Sequence, residues 1–327
     1  MLYRTLGKTN LSISEVSFGT WAIGGSWGQV DERTALSGLA RAMDAGVNFF
    51  DTADVYGDGR AERLLAQATK GREDSVFIAT KFCRQGDIND PSTYSLAQVR
   101  AYCEASLSRL QRDAIDLYQI HCPPHEIIQQ GDVFTVLDQL KQEGKIRNYG
   151  VSVETVEEGL SAMNYPGVAA LQVIFNLFRQ KPVQALFPRA LERNVGILVR
   201  LPLASGLLTG KFTANAVFEP DDHRHFNQDG QAFNVGETFA GLPFAKGVEL
   251  AEKLRFIAQG RHTMARASMR WILDHPAVTC VIPGFKTPQQ VDDNLGTLDV
   301  PSFTKEELAT LQQFYETEVH PFIRGVY

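Results

Sequence analysis

Eight short apolar runs recur along the chain: "SEVSFGTW", "VNFFDTA", "VFIATKF", "IDLYQIHC", "YGVSV", "LQVIFN", "VGILVRLPL" and "VTCVIPG". Stretches with helical spacing separate them. A near-continuous apolar strand is buried on both faces, as in a parallel sheet covered by helices. Strands that alternate with helices make βαβ units. Eight such units match a closed α/β barrel, the (β/α)8 TIM barrel. No shift of composition marks a boundary, and 327 residues suit one barrel. The expectation is a single domain over residues 1–327.

The intervening segments carry their own stop and start signals. Over 31–45, Asp31 is a plausible N-cap, Leu36, Leu39, Ala40 and Met43 form an apolar stripe, and Gly46 ends the helix. Helices are also predicted over 59–70, 95–110, 132–143, 154–163, 182–194, 287–296 and 304–318, with a two-part helical stretch over 244–275. The opening "YRTLGKTNLSISEVSFG" reads as a β-hairpin turning at Lys8-Thr9-Asn10, ahead of the first barrel strand. The segment 210–243 breaks the short-loop pattern. Loops of that length are usually functional lids or disordered. This one follows the seventh barrel strand, on the face where the strands end.

Charge and composition narrow the function. The formal charge is −6 with no basic block, so a nucleic-acid partner is not expected. No apolar run nears the roughly 20 residues that cross a bilayer. The start lacks the apolar stretch of a secretion signal, which makes a soluble, cytoplasmic protein the default. Cys83, Cys103, Cys122 and Cys280 show no C-x-x-C pairing. Neither a zinc site nor a disulfide framework is predicted.

Barrel active sites form where strands run into the following loops. The second strand ends in Asp51, with Tyr56 in its loop. The third strand ends in Lys81 and the fourth in His121. Each residue alone has an ordinary structural reading as a turn former or solvated strand end. Four such residues on neighbouring strand ends are a different matter. A lysine ammonium favours phenolate and lowers a tyrosine pKa, and Asp51 would keep Lys81 charged and in place. Tyr56 then becomes a tuned proton donor or acceptor, and His121 orients a substrate oxygen. None of the four transfers electrons, so a redox reaction requires a cofactor.

A second signal lies in "VIPGFKTPQQVDDNL". Thr287 is a candidate N-cap and Pro288 suits the first helical turn. Free N–H groups at that helix start favour an anion, and Lys286 adds charge. The loop after the seventh strand, "PLASGLLTGK", adds Gly206, Gly210 and Lys211. Barrels often hold phosphate between these two loops. The glycine-rich "GTWAIGGSWGQ" invites a Rossmann reading, but Ile23 stands where the first glycine of G-x-G-x-x-G belongs.

From "RTLGKTNLSISEVSFGTW" through "DTADVYG", "ATK", "DLYQIH" and "GVS" to "SGLLTGK" and "IPGFKTPQQVDDNL", the chain resembles the aldo-keto reductases nearly end to end. The resemblance implies a (β/α)8 barrel with NADPH or NADH extended across its C-terminal face. It implies a catalytic tetrad of Asp51, Tyr56, Lys81 and His121, with Tyr56 as proton donor to a carbonyl. Cofactor contacts are implied from Gly19, Thr20 and Trp21, and from Ser152 and Gln172 at the carboxamide. Further ones come from Arg200, Pro202, Leu203, Gly206, Leu207 and Lys211. At the adenosine-phosphate end stand Pro283, Gly284, Phe285, Lys286, Gln290, Asp293 and Asn294.

Two positions depart from the family pattern. Val153 stands where an asparagine usually follows the serine, and Arg200 replaces a ring that often stacks on the nicotinamide. A planar guanidinium can stack too, so Arg200 is read as partly replacing both contacts. With Lys286 at the phosphate end, NADP(H) is favoured and NAD(H) is the second candidate.

The substrate mouth is expected to be lined by Trp21, Trp27, Tyr56, Phe82 and His121, with loop 210–243 and the tail "HPFIRGVY" positioned to cover it. Small aldehydes, ketones, sugars or polyols suit such walls. Two other readings stay open. One is a lyase with Lys81 as Schiff-base amine, although a lysine held charged by Asp51 is a poor nucleophile. The other is a regulatory subunit that binds NADP(H) with little turnover.

Overall fold

The structure, a computed structural model, describes residues 1–25, 27 and 30–327. Its elements follow in order: β1 Tyr3–Thr5, β2 Ser12–Ser14, β3 Phe18–Gly19, α1 Trp21–Gly24, α2 Glu32–Asp44, β4 Phe49–Asp51, α3 Arg60–Ala68, β5 Phe77–Phe82, α4 Leu96–Leu110, β6 Leu117–His121, α5 His125–Gln130, α6 Asp132–Gln142, β7 Tyr149–Ser152, α7 Val156–Ala162, β8 Val168–Ile174, α8 Leu186–Arg193, β9 Gly196–Arg200, α9 His223–Phe226, α10 Phe244–Lys253, α11 Met264–Leu273, β10 Val278–Ile282, α12 Pro288–Leu295 and α13 Lys305–Phe314.

β3 to β10 form one parallel sheet in sequence order. Bridges from Val16 to Val281 and from Gly19 to Gly284 join its two edges and close the barrel. Closure leaves no strand edge unpaired. The eight apolar runs are these eight strands. Asp31 caps α2 through its side chain, and Thr287 caps α12 with Pro288 in the first turn, both as the sequence predicts. Helix α5 was not predicted: six residues follow Pro124 and stop at Gly131, too short for a periodic signal.

The period of two along each strand divides the core. Phe49, Ala79, Leu117, Ala170, Leu198 and Cys280 fill the barrel interior with Leu6, Leu11 and Ile13 of the hairpin. The hairpin is therefore a plug for the closed end. Gly7, at φ +49°, turns it there. A Cβ at Gly7 would lie 2.4 Å from the Gly196 nitrogen, so a side chain would lift the plug off β9. Phe50, Ile78, Phe82, Tyr118, Val151 and Val199 face the other way, into the larger layer under the helices.

All four cysteines are buried and free. Among the described residues, no helix is long and apolar enough to cross a membrane. Gly28, the last glycine of the Rossmann spacing weighed above, lies outside the described residues.

Candidate active site

The inward side chains above the plug are polar. Lys81 Nζ donates to Asp51 Oδ2 at 2.6 Å and to the Thr52 carbonyl at 2.8 Å. Gln172 Nε2 and Gln119 Nε2 donate to Asp51 Oδ1 at 2.7 and 3.3 Å. Lys81 has no solvent exposure, and Asp51 has 4%. A buried ion pair persists only when its remaining polar valences are met, and here the two glutamines and a carbonyl meet them. The strand register accounts for the layering: Lys81 lies beside Gln119, and His121 beside Ser152.

The Tyr56 hydroxyl lies 3.5 Å from Lys81 Nζ, and its ring sits 5.9 Å from the His121 ring, edge to face. Tyr56 is seated by glycine contacts. Gly57, at φ +60°, packs so close to Gly24 that a Cβ would lie 2.1 Å from the Gly24 carbonyl oxygen. That nests the Tyr56 loop against α1, which carries Trp21.

Burial here outweighs charge in one respect that the sequence reading had reversed. Desolvation raises the Tyr56 pKa, and the opposing pull of Lys81 does not overcome it. Tyr56 therefore rests as a phenol. Burial works against the Lys81 charge, but Asp51 and Tyr56 raise its pKa overall, so Lys81 stays an ammonium. His121 is pushed well below the usual histidine range by burial, then by Arg84, Lys81 and Arg200. Its ring is neutral, and its Nδ1 is buried without a hydrogen-bond partner.

Asp54, between Asp51 and Tyr56, differs from a simple turn residue. It is fully buried, and neither carboxyl oxygen has a hydrogen-bond partner. Burial, then Glu62, raises its pKa from 3.8 to about 7. Below about pH 3.8 both folded and unfolded chains hold the proton. Between 3.8 and 7 only the folded chain holds it, so stability falls as pH rises and levels off above 7. The total is on the order of 4 kcal/mol. The stability of Asp54→Asn relative to wild type is therefore expected to rise by about 2–3 kcal/mol from pH 5 to pH 8. Urea unfolding at the two pH values measures it; an equal difference at both would refute the assignment.

The mouth above the tetrad is aromatic. The Trp21 ring stacks 6.0 Å from Tyr56, and Trp27 meets Trp21 edge-on at 5.5 Å. His223 of α9 sits 4.8 Å from Trp21 and 4.2 Å from Trp27, and Phe233 lies 6.1 Å from Trp21. The long segment after β9 thus contributes rings to the mouth. Phe82 does not. Side chains alternate along β5, so Lys81 points inward and Phe82 outward, where it stacks 4.7 Å from Tyr118. The expectation that Phe82 lines the mouth is corrected.

The rim residues gather where the barrel closes. Gly19 donates its N–H to the Pro283 carbonyl at 3.0 Å, and Thr20 Oγ1 donates to the Asp51 carbonyl at 3.1 Å. Asn294 Nδ2 holds the Gly284 carbonyl at 3.2 Å, and Gln290 Oε1 accepts the Lys286 N–H at 2.7 Å. The Asp293 carbonyl accepts from Arg266 at 3.1 Å. Lys286 Nζ contacts the Trp27 carbonyl; burial, then Arg224, lowers its pKa. After β9, Leu201, Ala204, Ser205 and Gly206 all take positive φ, which folds Pro202 and Leu203 into a tight turn. The Leu207 side chain is buried in the core, so only its backbone faces the rim. Lys211 is exposed.

The aldo/keto reductase family model matches residues 15–316. The chain belongs to this family. It is 32% identical over 296 residues to aldo-keto reductase YhdN of Bacillus subtilis (strain 168), covering 89% of this chain and 87% of that protein. It is 28% identical over 314 residues to the NADH-specific methylglyoxal reductase of Escherichia coli (strain K12), covering 90% and 93%. Among solved structures it resembles the glycerol dehydrogenase AKR11B4 from Gluconobacter oxydans, with a TM-score of 0.76, 29% identity, and coverage of 99% and 98%.

The floor beside His121 in this aldo/keto reductase carries paired charges. Arg84 Nε donates to the His121 carbonyl at 3.2 Å. Arg84 pairs with Glu154 at 3.4 Å and Glu237 at 3.2 Å. Arg200 pairs with Glu237 at 3.5 Å and reaches the Val153 carbonyl at 3.4 Å. Sequence reasoning named Arg200 but missed Arg84, Glu154, Glu237, His223 and Phe233. Gln119 was within reach: it precedes His121 by two on the same strand and so faces the same way.

Proposed function

We propose that this protein reduces an aldehyde or ketone to an alcohol, reversibly, with Tyr56 as the proton donor. A nicotinamide dinucleotide supplies and accepts the hydride. The observation that supports the reading is the convergence of a protonated Tyr56, a charged Lys81 and a neutral His121 within one buried cluster. Tyr56 gives its proton to the substrate oxygen. Lys81 stabilises the phenolate that remains, since an adjacent cation favours it. Asp51 holds Lys81 in position. His121, neutral and with a ring nitrogen unpartnered, donates a hydrogen bond to the same oxygen. Water is kept from the site by Trp21, Trp27, His223 and Phe233.

The C-terminal face suits such a cofactor. Trp27 Nε1, His121 Nδ1 and Arg200 Nε are buried polar atoms without hydrogen-bond partners, a cost that a polar ligand relieves. Gln172 has committed its amide nitrogen to Asp51, which leaves its carbonyl oxygen, with Ser152, for a carboxamide. Arg200 is assigned to the nicotinamide end; a complex with Arg200 far from that ring would refute this. The turn after β9, with Pro202, Leu203 and Gly206, and the capped start of α12 with Gly284 and Lys286, are assigned to the phosphates. Lys286 favours NADP(H) over NAD(H). In Lys286→Ala, the NADPH dissociation constant is expected to rise at least tenfold while that of NADH changes little; an unchanged preference would remove Lys286 from this role.

A panel of aldehydes, ketones and sugars, followed by NADPH absorbance, tests the reading directly. Oxidation with one or more members is the expected result. Tight NADPH binding without oxidation by any member would point instead to a regulatory subunit. Borohydride trapping with substrate would reveal the Schiff-base lyase; no adduct at Lys81 is expected.

A further inference from the structure

Among the described residues, three cations in and beside the tetrad and one over the Trp27 ring are each paired with a carboxylate. Lys81 is held by Asp51 at 2.6 Å. Arg224, whose guanidinium lies 5.0 Å from the Trp27 ring, is held by Asp222 at 2.5 Å. Arg84 is held by Glu154 and Glu237, and Arg200 by Glu237. Glu237 is buried, and the Arg84 and Arg200 side chains are 20% and 13% exposed. Charges in such a site interact strongly, because little water screens them. Lys286, at the far rim, instead contacts a backbone carbonyl.

Glu237 belongs to the segment after β9, yet it pairs with residues that follow β5 and end β9. Its neighbours fasten the segment too. Asn234 Nδ2 donates to Glu154 at 2.7 Å, and the Phe239 N–H donates to Ser205 Oγ at 3.1 Å. A Cβ at Gly236 would lie 2.4 Å from the Arg179 guanidinium, so the segment sits hard against a buried arginine. The fastened stretch directly follows Phe233, one ring of the mouth.

We propose that Glu237 determines substrate charge: by neutralising Arg84 and Arg200 beside His121, it restricts this site to uncharged carbonyl compounds. The inference rests on the reductase reading given above. Among the described residues, Lys81, Arg84 and Arg200 near the tetrad are all committed to carboxylates, so a carboxylate- or phosphate-bearing substrate meets no free cation there, and Glu154 and Glu237 repel it. Specificity here comes from a repulsive element as much as from contacts. Removing the Glu237 charge leaves two guanidinium groups facing one remaining carboxylate, and the surplus positive charge becomes a place for an anion.

The test compares butanal with its carboxylated analogue, 4-oxobutanoate, as substrates of the full chain with NADPH. Wild type is expected to favour butanal by at least tenfold in kcat/KM. In Glu237→Gln the ratio is expected to move at least tenfold toward 4-oxobutanoate, mostly through its KM. Glu154→Gln removes a charge from the same cluster at a residue outside the segment after β9, and its amide oxygen can still accept from Asn234 Nδ2. It should move the ratio in the same direction, and it carries the test if Glu237→Gln does not fold. A wild-type preference for 4-oxobutanoate, or ratios unchanged in a folded variant, would overturn the inference and leave the reductase reading intact. No turnover of either compound, or of any neutral carbonyl, would overturn both.

Discussion

In Tyr56→Phe, carbonyl-dependent oxidation of NADPH is expected to fall by about 10²–10⁴-fold, the usual contribution of a positioned general acid. The change removes one oxygen and keeps the ring. The stack on Trp21 at 6.0 Å and the edge contact with His121 at 5.9 Å therefore persist. Lys81 loses only its longest contact, 3.5 Å, and keeps Asp51 and the Thr52 carbonyl. The stability change should accordingly be within about 1 kcal/mol. NADPH affinity should stay within about threefold, since the hydroxyl is assigned to the substrate oxygen. Steady-state rates and a fluorescence titration of NADPH measure both quantities. Turnover close to wild type would show that another group supplies the proton.

Lys81→Met should damage the fold far more than Tyr56→Phe does. It leaves the buried Asp51 carboxylate without its counter-charge, and such a break typically costs about 3–5 kcal/mol. Gln119 and Gln172 still donate to Asp51, which keeps the loss toward the lower part of that range. The double variant Lys81→Met/Asp51→Asn removes both charges and should regain most of the stability while remaining inactive. Chemical denaturation of the two variants and wild type gives the comparison. If the double variant is as unstable as Lys81→Met alone, the lost stability comes from packing and not from a stranded charge.

The two predictions separate roles that lie only a few ångströms apart. On the proposed reading, Tyr56 carries chemistry with little stability attached to it. On the same reading the Lys81–Asp51 pair carries both, because the burial that makes it costly would also make it effective. Asp54 is the converse: a buried acid whose proton matters to folding and which has no assigned part in the reaction.

Much of the barrel was legible because its signals are local. Apolar runs of strand length, helical stripes, the Asp31 and Thr287 caps and the Lys8-Thr9-Asn10 turn all depend on neighbours in the chain. The tetrad was legible for a related reason. Asp51, Lys81 and His121 each end a strand, and the barrel's geometry sends consecutive strand ends to one face. The rim at α12 was legible from a cap, a proline and a lysine within a few residues.

What the chain by itself determined, then, was the order and type of the elements and which residues meet at the open end. Tertiary structure decided the rest, because desolvation and long-range pairing have no local signature. Only the folded barrel shows that burial overrides Lys81 and leaves Tyr56 protonated. Only there does strand alternation turn Phe82 away from the mouth while Lys81 faces in. The pairing of Arg84 with Glu237 spans 153 residues, and that of Gln172 with Asp51 spans 121. Polar groups so far apart in sequence acquire the strength of their interactions from the low-dielectric interior that brings them together.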